Sequence, residues 1–322
     1  MDNLTHSMIG AALGQAGLKK LSGLGMPTLI IAANIPDLDA ACTVYGIQSL
    51  EMRRGLTHGP IAMLVLPVLL TAIMIGFDRW QARRGKRPEA RAPVRPWHLL
   101  LLAFIGTLSH PAFDWLNSYG VRLLEPFSSR WFYGDSIFII DVWMWAMLIG
   151  GFLWSRAAER RGGDWRRRGG IVVAAISAYI LGNGVLTGLA EARTAERVRA
   201  EYGITPEMVV ANPVPIAFWQ RETLWRGAGQ RGSGSLNLTG GLLPSLFAEP
   251  ERGPLPIGMD DPRIAAAAAR DPEVRAFLFW SRMPYAELRA DDSIVISDQR
   301  FGNPMARGRF SVRIPPEQGA AQ

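Results

Sequence analysis

Residues 60–77 read PIAMLVLPVLLTAIMIGF and run directly into residues 78–95, DRWQARRGKRPEARAPVR. As a helix rising ~1.5 Å per residue, the apolar run covers most of a ~30 Å hydrocarbon core. Short loops rich in Lys and Arg stay on the cytoplasmic side, so the pair predicts a membrane span pointing inward. Three more segments share this character: 97–118, 137–154 (IFIIDVWMWAMLIGGFLW) and 171–190 (IVVAAISAYILGNGVLTGLA). Segments 4–18 and 26–45 are also apolar but contain Gly, Pro and acids. Short spans or re-entrant helices both fit them, and spans are the reading adopted.

The composition agrees with this reading. A chain of 322 residues that is 48% hydrophobic, with mean hydropathy +0.09 and net charge +7, must keep its charge apart from its apolar residues. Disorder is excluded, because it needs low hydrophobicity together with high charge. The one cysteine, Cys42, excludes an intramolecular disulfide and any cysteine zinc cluster. The basic residues gather in two stretches. Arg79, Arg83, Arg84, Lys86, Arg87, Arg91 and Arg95 lie in 79–95, and Arg156, Arg160, Arg161, Arg166, Arg167 and Arg168 in 155–168. Everything outside them is slightly acidic. Clustered arginines hold nucleic-acid phosphates elsewhere, but Pro88, Pro93 and Pro96 point away from a formed nucleic-acid site. The two stretches are topology signals. They direct 60–77 and 137–154 inward and 97–118 and 171–190 outward, while Lys19 and Lys20 mark a third inside turn. Residues 1–8 lack a basic n-region, so no cleavable signal peptide is expected.

Beyond residue 190 the composition changes. A charged helix, 191–202, precedes Pro- and Gly-rich sequence with strand-like runs at Val209–Val210, Ile216–Trp219, Phe277–Trp280, Ser293–Ser297 and Arg309–Ile314. The Gly/Ser stretch 227–241 reads as a loop and Ala265–Ala269 as a short helix. Trp219, Trp225 and Trp280 read as core or membrane-interface anchors. The expected architecture is a polytopic α-helical membrane protein of about six short or full spans, with a C-terminal extracytoplasmic β-rich domain. Residues 1–190 form the transmembrane helical domain and 191–322 the outer one.

Ionisable residues inside spans are costly and mark function by default. Here they are His6, Asp37, Asp39, His58, His110, Asp114, Asp135 and Asp141. Counted from the cytoplasmic helix ends, His6, Asp37, His110 and Asp141 come out at ~18–22 Å, with Asp114 and His58 at ~27 and ~31 Å. One shared site near the outer face is expected. Imidazole and carboxylate together suit a divalent metal, with zinc first and Mn or Fe as alternatives. The abundance of donors suggests two ions, which can draw a nucleophile from water and clamp a phosphoryl group. His110 and Asp114 are spaced i,i+4 on one helix face. Pro111 and Pro36 are expected to break their helices beside the ligands. LTHSMI at 4–9 resembles LTHGPI at 56–61, and in each the Thr reads as an N-cap. Asp135 reads as a helix cap as readily as a ligand, and His98 as structural. Arg53 and Arg54 are placed to pair with acids or with a substrate phosphate.

The motifs DNLTHSMIG (2–10), NIPDLDA (34–40), RRGLTHGP (53–60), SHPAFDWLNSYG (109–120) and EPFSSRWFYGDSIFIID (125–141) resemble the YdjM-type family of bacterial inner-membrane proteins, described as membrane-bound metal-dependent hydrolases. The resemblance covers residues 1–145, and the outward part, with FWSRMPYAEL and SDQRF, looks like an extension found in longer members. It implies a metal-binding hydrolase fold, kinship with zinc-dependent phospholipase C and P1-type nucleases, and His6, Asp39, His58, His110 and Asp114 as metal ligands. Pro111–Ala112 departs from the bulkier aliphatic residues expected there.

The expected chemistry is hydrolysis of a phosphoester on a lipid or lipid-linked molecule at the outer face of the inner membrane. Asp37 or Asp141 serves as general base and Arg54 stabilises developing charge. The expected partners are the lipid bilayer and that substrate, not nucleic acid. A divalent-cation transporter would use the same ligands but needs ionisable residues in the inner halves of the spans. A non-catalytic membrane scaffold would work through its outward domain.

Overall fold

The computed structural model describes residues 1–246, 250–302 and 308–316. The chain forms two compact units, one of Met1–Asp39 with Arg54–Val185 and one of Ala40–Arg53 with Leu186–Gln322.

The first unit is helical. α1 (Asn3–Gln15) starts at Asp2, whose carboxylate accepts from the Leu4 and Thr5 amides. α2 (Gly25–Ala32) passes into a 3₁₀ stretch, Ile35–Gln48, that continues into the second unit and ends at α3 (Ser49–Met52). A 3₁₀ turn, Leu56–His58, precedes α4 (Pro60–Arg83). α5 (Pro96–Trp115), α6 (Val142–Arg160) and α7 (Trp165–Tyr202) follow, with α7 entering the second unit from Leu186.

α2 is held between α1 and α5 by two glycines. A Cβ on Gly10 would lie 2.6 Å from the Leu29 carbonyl oxygen, and one on Gly106 would lie 2.9 Å from the same atom. The two close approaches let small residues such as Ala32 and Ala103 fill the interface at native density. Ala32, Leu70, Met74, Leu99 and Ala103 join α2, α4 and α5 in one apolar cluster. Ile9, Ala12, Met144, Leu148, Val172 and Ile176 join α1, α6 and α7 in another.

Two helices among the described residues are long and apolar enough to cross a membrane, α4 and α7. Leu64, Val65, Val68, Leu69 and Ile73 of α4 stay exposed, a contiguous apolar face of the kind that lipid covers. The expectation of about six spans is therefore corrected to two. The other segments fall short for local reasons. Segment 4–18 coincides with the 13-residue α1, which starts at Asn3, and 26–45 lies across an eight-residue helix and 3₁₀ turns. Residues 137–141 are not helical, so α6 starts at Val142 and meets Arg156 after about four turns. In α5 Ser109, His110, Pro111 and Asp114 of its C-terminal half lower the mean hydropathy. Pro111 lies inside α5 without ending it, and the 3₁₀ stretch begins just before Pro36.

In the second unit, β1 (Met208–Pro213), β2 (Gln220–Gly227), β3 (Gln230–Asn237) and β4 (Arg252–Pro256) form an antiparallel meander. The β2–β3 turn is Ala228–Gly229, both with positive φ as a two-residue hairpin requires. α8 (Pro262–Arg270) and α9 (Pro272–Trp280) are capped by Asp261 and Asp271. They lead to a second sheet of β5 (Pro284–Leu288), β6 (Ile294–Asp298) and β7 (Ser311–Ile314). Phe277–Trp280, expected as a strand, is the last turn of α9, and Ile216–Trp219 is a turn. The expected 227–241 loop contains strand β3, where Gly232 lets the Trp225 indole lie against the backbone. Trp225 and Trp280 are buried, as is the ion pair of Asp298 with Arg300, 2.9 Å.

Candidate metal centre

The candidate site lies in the first unit, where the 3₁₀ stretch after α2, the turn before α4 and the C-terminal end of α5 meet. Asp37, His58, His110 and Asp114 each present one ligand atom, and these atoms all lie within 4.8 Å of one another. His58, His110 and Asp114 are buried, and Asp37 is partly exposed.

The hydrogen bonds behind the two imidazoles decide what they present. His110 Nδ1 lies 2.7 Å from the Ala33 carbonyl oxygen, which can only accept. Nδ1 therefore carries the proton and Nε2 a lone pair. The Thr57 hydroxyl donates its one proton to Asp39 Oδ2 (2.8 Å), so its oxygen accepts from His58 Nδ1 at 2.9 Å. His58 Nε2 is then a second lone pair. It faces Asp114 Oδ2 at 3.3 Å, and His110 Nε2 faces Asp114 Oδ2 and Asp37 Oδ1 at 3.6 Å each. His58 Nε2, His110 Nε2 and Asp114 Oδ2 are buried with no hydrogen bond. Arg54 pairs with Asp114 from one side, but the two imidazole lone pairs that face the Asp114 and Asp37 oxygens have no donor between them, a convergence that a cation stabilises. Tetrahedral ligands ~2.1 Å from a divalent ion are themselves ~3.4 Å apart, close to the three spacings seen. The residues fit a metal ion.

The surrounding groups hold this arrangement. Arg54 is buried and has φ 53°, a left-handed conformation that its neighbours fix. Its amide donates to Asp39 Oδ2 (2.7 Å), and its carbonyl accepts from the Arg122 amide (2.8 Å). Its guanidinium embraces Asp114, with Nε 3.0 Å from Oδ2 and Nη2 3.1 Å from Oδ1, and reaches Asn117 at 3.0 Å. His6 Nε2 faces Asp114 Oδ1 at 3.2 Å, and its ring stacks on His110 with centroids 3.8 Å apart. The Met1 amino group also touches Asp114. Both His6 and His58 lie outside the two long apolar helices. Burial is the largest influence on each, holding His58 below its usual pKa and His6 at about 4, so both rings are neutral near pH 7.

Each residue singled out in the sequence thus has a place. Asp37, expected as a base, stands at ligand distance. Asp39, a ligand by resemblance, stands behind His58, 3.5 Å from Nδ1. Arg54 grips Asp114. Asp141 caps α6, accepting from the Met144 amide (2.7 Å) and the Tyr179 hydroxyl (3.0 Å), and is not in the cluster. Asp135 is buried with positive φ and is likewise outside it. Sequence reasoning missed Thr57, Asn117 and the Ala33 carbonyl. Thr57 and Thr5 were expected as N-caps. Thr5 instead lies inside α1, Asp2 being the cap, and Gly59 precedes α4.

Outer-shell partners of a metal-bound imidazole typically contribute 10- to 100-fold in metal affinity. Asp39→Asn is accordingly expected to weaken divalent-metal binding about 10- to 100-fold without abolishing it. Competition titration with a chromophoric chelator measures this, and complete loss of binding would make Asp39 a direct ligand.

A helical unit with two helices able to cross a bilayer and a buried His/Asp cluster is the build of a membrane protein with a candidate metal centre. Residues 1–190 match the model of the YdjM inner membrane protein family, and the chain belongs to that family. Among curated proteins and among solved structures nothing matches. Family and cluster together are compatible with a metal-dependent membrane hydrolase.

Proposed function

We propose that the protein is a metal-dependent hydrolase of the inner membrane acting on a phosphoester of a lipid or lipid-linked molecule at the outer face. The observation that carries this reading is the convergence of two imidazole lone pairs and two carboxylate oxygens with no donor among them. One ion is read, since one such group is found among the described residues, and the nitrogen and oxygen donors favour zinc.

The outer face follows from charge. α4 ends in the basic loop and α7 begins beside Arg166, Arg167 and Arg168, and such basic ends favour the cytoplasmic side. His58 precedes the opposite end of α4 and is then on the outer side, as is the C-terminal unit that follows α7. The lipid substrate is supported by the rim of the site. Leu38, between Asp37 and Asp39, is 63% exposed, and Leu56, between Arg54 and His58, is 64% exposed. Apolar side chains beside a buried polar centre suit a molecule whose tail stays in the bilayer while its head enters.

His58, His110, Asp114 and Asp37 would hold the ion, which supplies Lewis acidity and makes water acidic enough to act near neutral pH. Ala33, Thr57 and Asp39 keep the imidazole lone pairs aimed inward, and Arg54 fixes the plane of Asp114. Asp37, the least buried of the four, borders the entry. Asp141 caps a helix and takes no part.

Metal analysis of the purified protein in nanodiscs, with a screen of phospholipid and water-soluble phosphoesters, tests the reading. About one ion per chain and metal-dependent turnover of a lipid phosphoester are expected. Stoichiometric metal with no ester cleaved and with ion uptake into proteoliposomes would favour transport instead.

A further inference from the structure

The C-terminal unit, beyond the stretch matched by the family, contains a cavity of about 390 Å³ between its two sheets. The pleat builds its lining: Arg231 and Ser233 of β3 and Tyr285 and Glu287 of β5 are i,i+2 pairs, so each pair projects from one face of its strand. The sheets are pinned across the cavity by Gln299 Nε2 donating to the Gly232 carbonyl (2.6 Å) and by the Ala286 amide donating to the Ile257 carbonyl (2.9 Å). A register shift in the β3–β4 pairing falls between Arg231 and Ser233, a device that re-aims side chains beside binding sites.

Among the described residues, the charges lining the cavity do not balance. Arg231, Arg252 and Arg289 line it against Glu222 and Glu287. Glu287 serves two guanidiniums at once, with Oε1 3.5 Å from Arg231 and Oε2 3.0 Å from Arg289. Arg231 lies flat on the Tyr285 ring, 3.7 Å from its centroid, which fixes its plane. Its Nε is buried with no hydrogen bond. Burial lowers the Arg231 pKa most, Tyr285 and Glu287 act against that shift, and Arg252 adds to it.

We propose that this cavity binds a small organic oxyanion, a phosphate or carboxylate, held by Arg231, Arg252 and Arg289. The volume is in the range of small-molecule sites, and three guanidiniums lining one cavity are suited to an oxyanion.

The test is calorimetric titration of the full-length protein in detergent with pyrophosphate and, separately, with citrate. Binding of at least one is expected; pyrophosphate alone would identify phosphate chemistry and citrate alone carboxylate chemistry. Arg231→Gln should weaken binding about 10- to 100-fold, the loss of a charge-assisted hydrogen bond. Arg289→Gln, at a half-exposed position where folding is not at risk, should also weaken it. His110→Ala should leave it unchanged, which separates this cavity from the metal centre. No binding of either anion at millimolar concentration, or equal affinity in both arginine variants and the parent, would overturn the proposal.

Discussion

Alanine at His110 or at His58 is expected to remove metal and hydrolytic activity together. Each imidazole contributes one of two lone pairs to a four-donor cluster, and Nδ1 of each is already committed, to the Ala33 carbonyl in one case and to Thr57 in the other. The remaining residues cannot supply the lost donor, because His6 directs its Nε2 to Asp114 Oδ1. Outer-shell losses cost up to about 100-fold in metal affinity, and loss of a direct ligand should exceed that. Metal content after dialysis and turnover of the lipid phosphoester should fall in parallel. Asp141→Asn is the contrast. Asn caps a helix about as well as Asp, so this variant should keep α6 capped and leave metal content at the parental value. Parental metal stoichiometry in both histidine variants would sink the assignment of the centre.

The histidine and aspartate positions could be picked out because ionisable residues are rare in apolar segments, and because i,i+4 spacing in TLSHPAFDW puts His110 and Asp114 on one face before any fold is known. What each does there was not legible. Asp37 and Asp39 are two residues apart in one acidic motif, yet the 3₁₀ turn directs the first at His110 Nε2 and the second behind His58. Sequence patterns carry residue types, whereas the division between ligand and support depends on which imidazole nitrogen a carboxylate meets. Thr57 was read as a cap for the same reason. A hydroxyl before a helix is usually one, and only the folded chain shows its proton going to Asp39.

The excess of spans has a different origin. A hydropathy window averages over residues 137–141 and 35–48 without registering that the chain there is irregular or 3₁₀. In the C-terminal unit, the FLFW run at 277–280 is apolar enough for a strand or a helix, and Asp271–Pro272 at the preceding cap decides for the helix.

Asp114→Asn is expected to have the largest effect on stability as well as on metal. Its carboxylate is fully buried and meets Arg54, His6, His58 and, one helical turn back, His110. Removing the negative charge leaves the Arg54 guanidinium buried without a counterion, and breaking a buried pair in this way typically costs about 3–5 kcal/mol. Arg54→Met removes the other partner and has a different consequence. Asp114 then lacks its arginine, but a bound divalent ion can still neutralise it, so this variant should be unstable in chelator and substantially rescued by zinc. Asp114→Asn has no such rescue. The double variant, with no buried charge on either side, should recover much of the lost stability while still binding no metal, giving a coupling energy of the kind found for residues in direct contact. Thermal unfolding of the four proteins with zinc and with chelator reads all of this. A chelator-treated Asp114→Asn protein that unfolds at the parental temperature would show that Arg54 and Asp114 do not act as a pair.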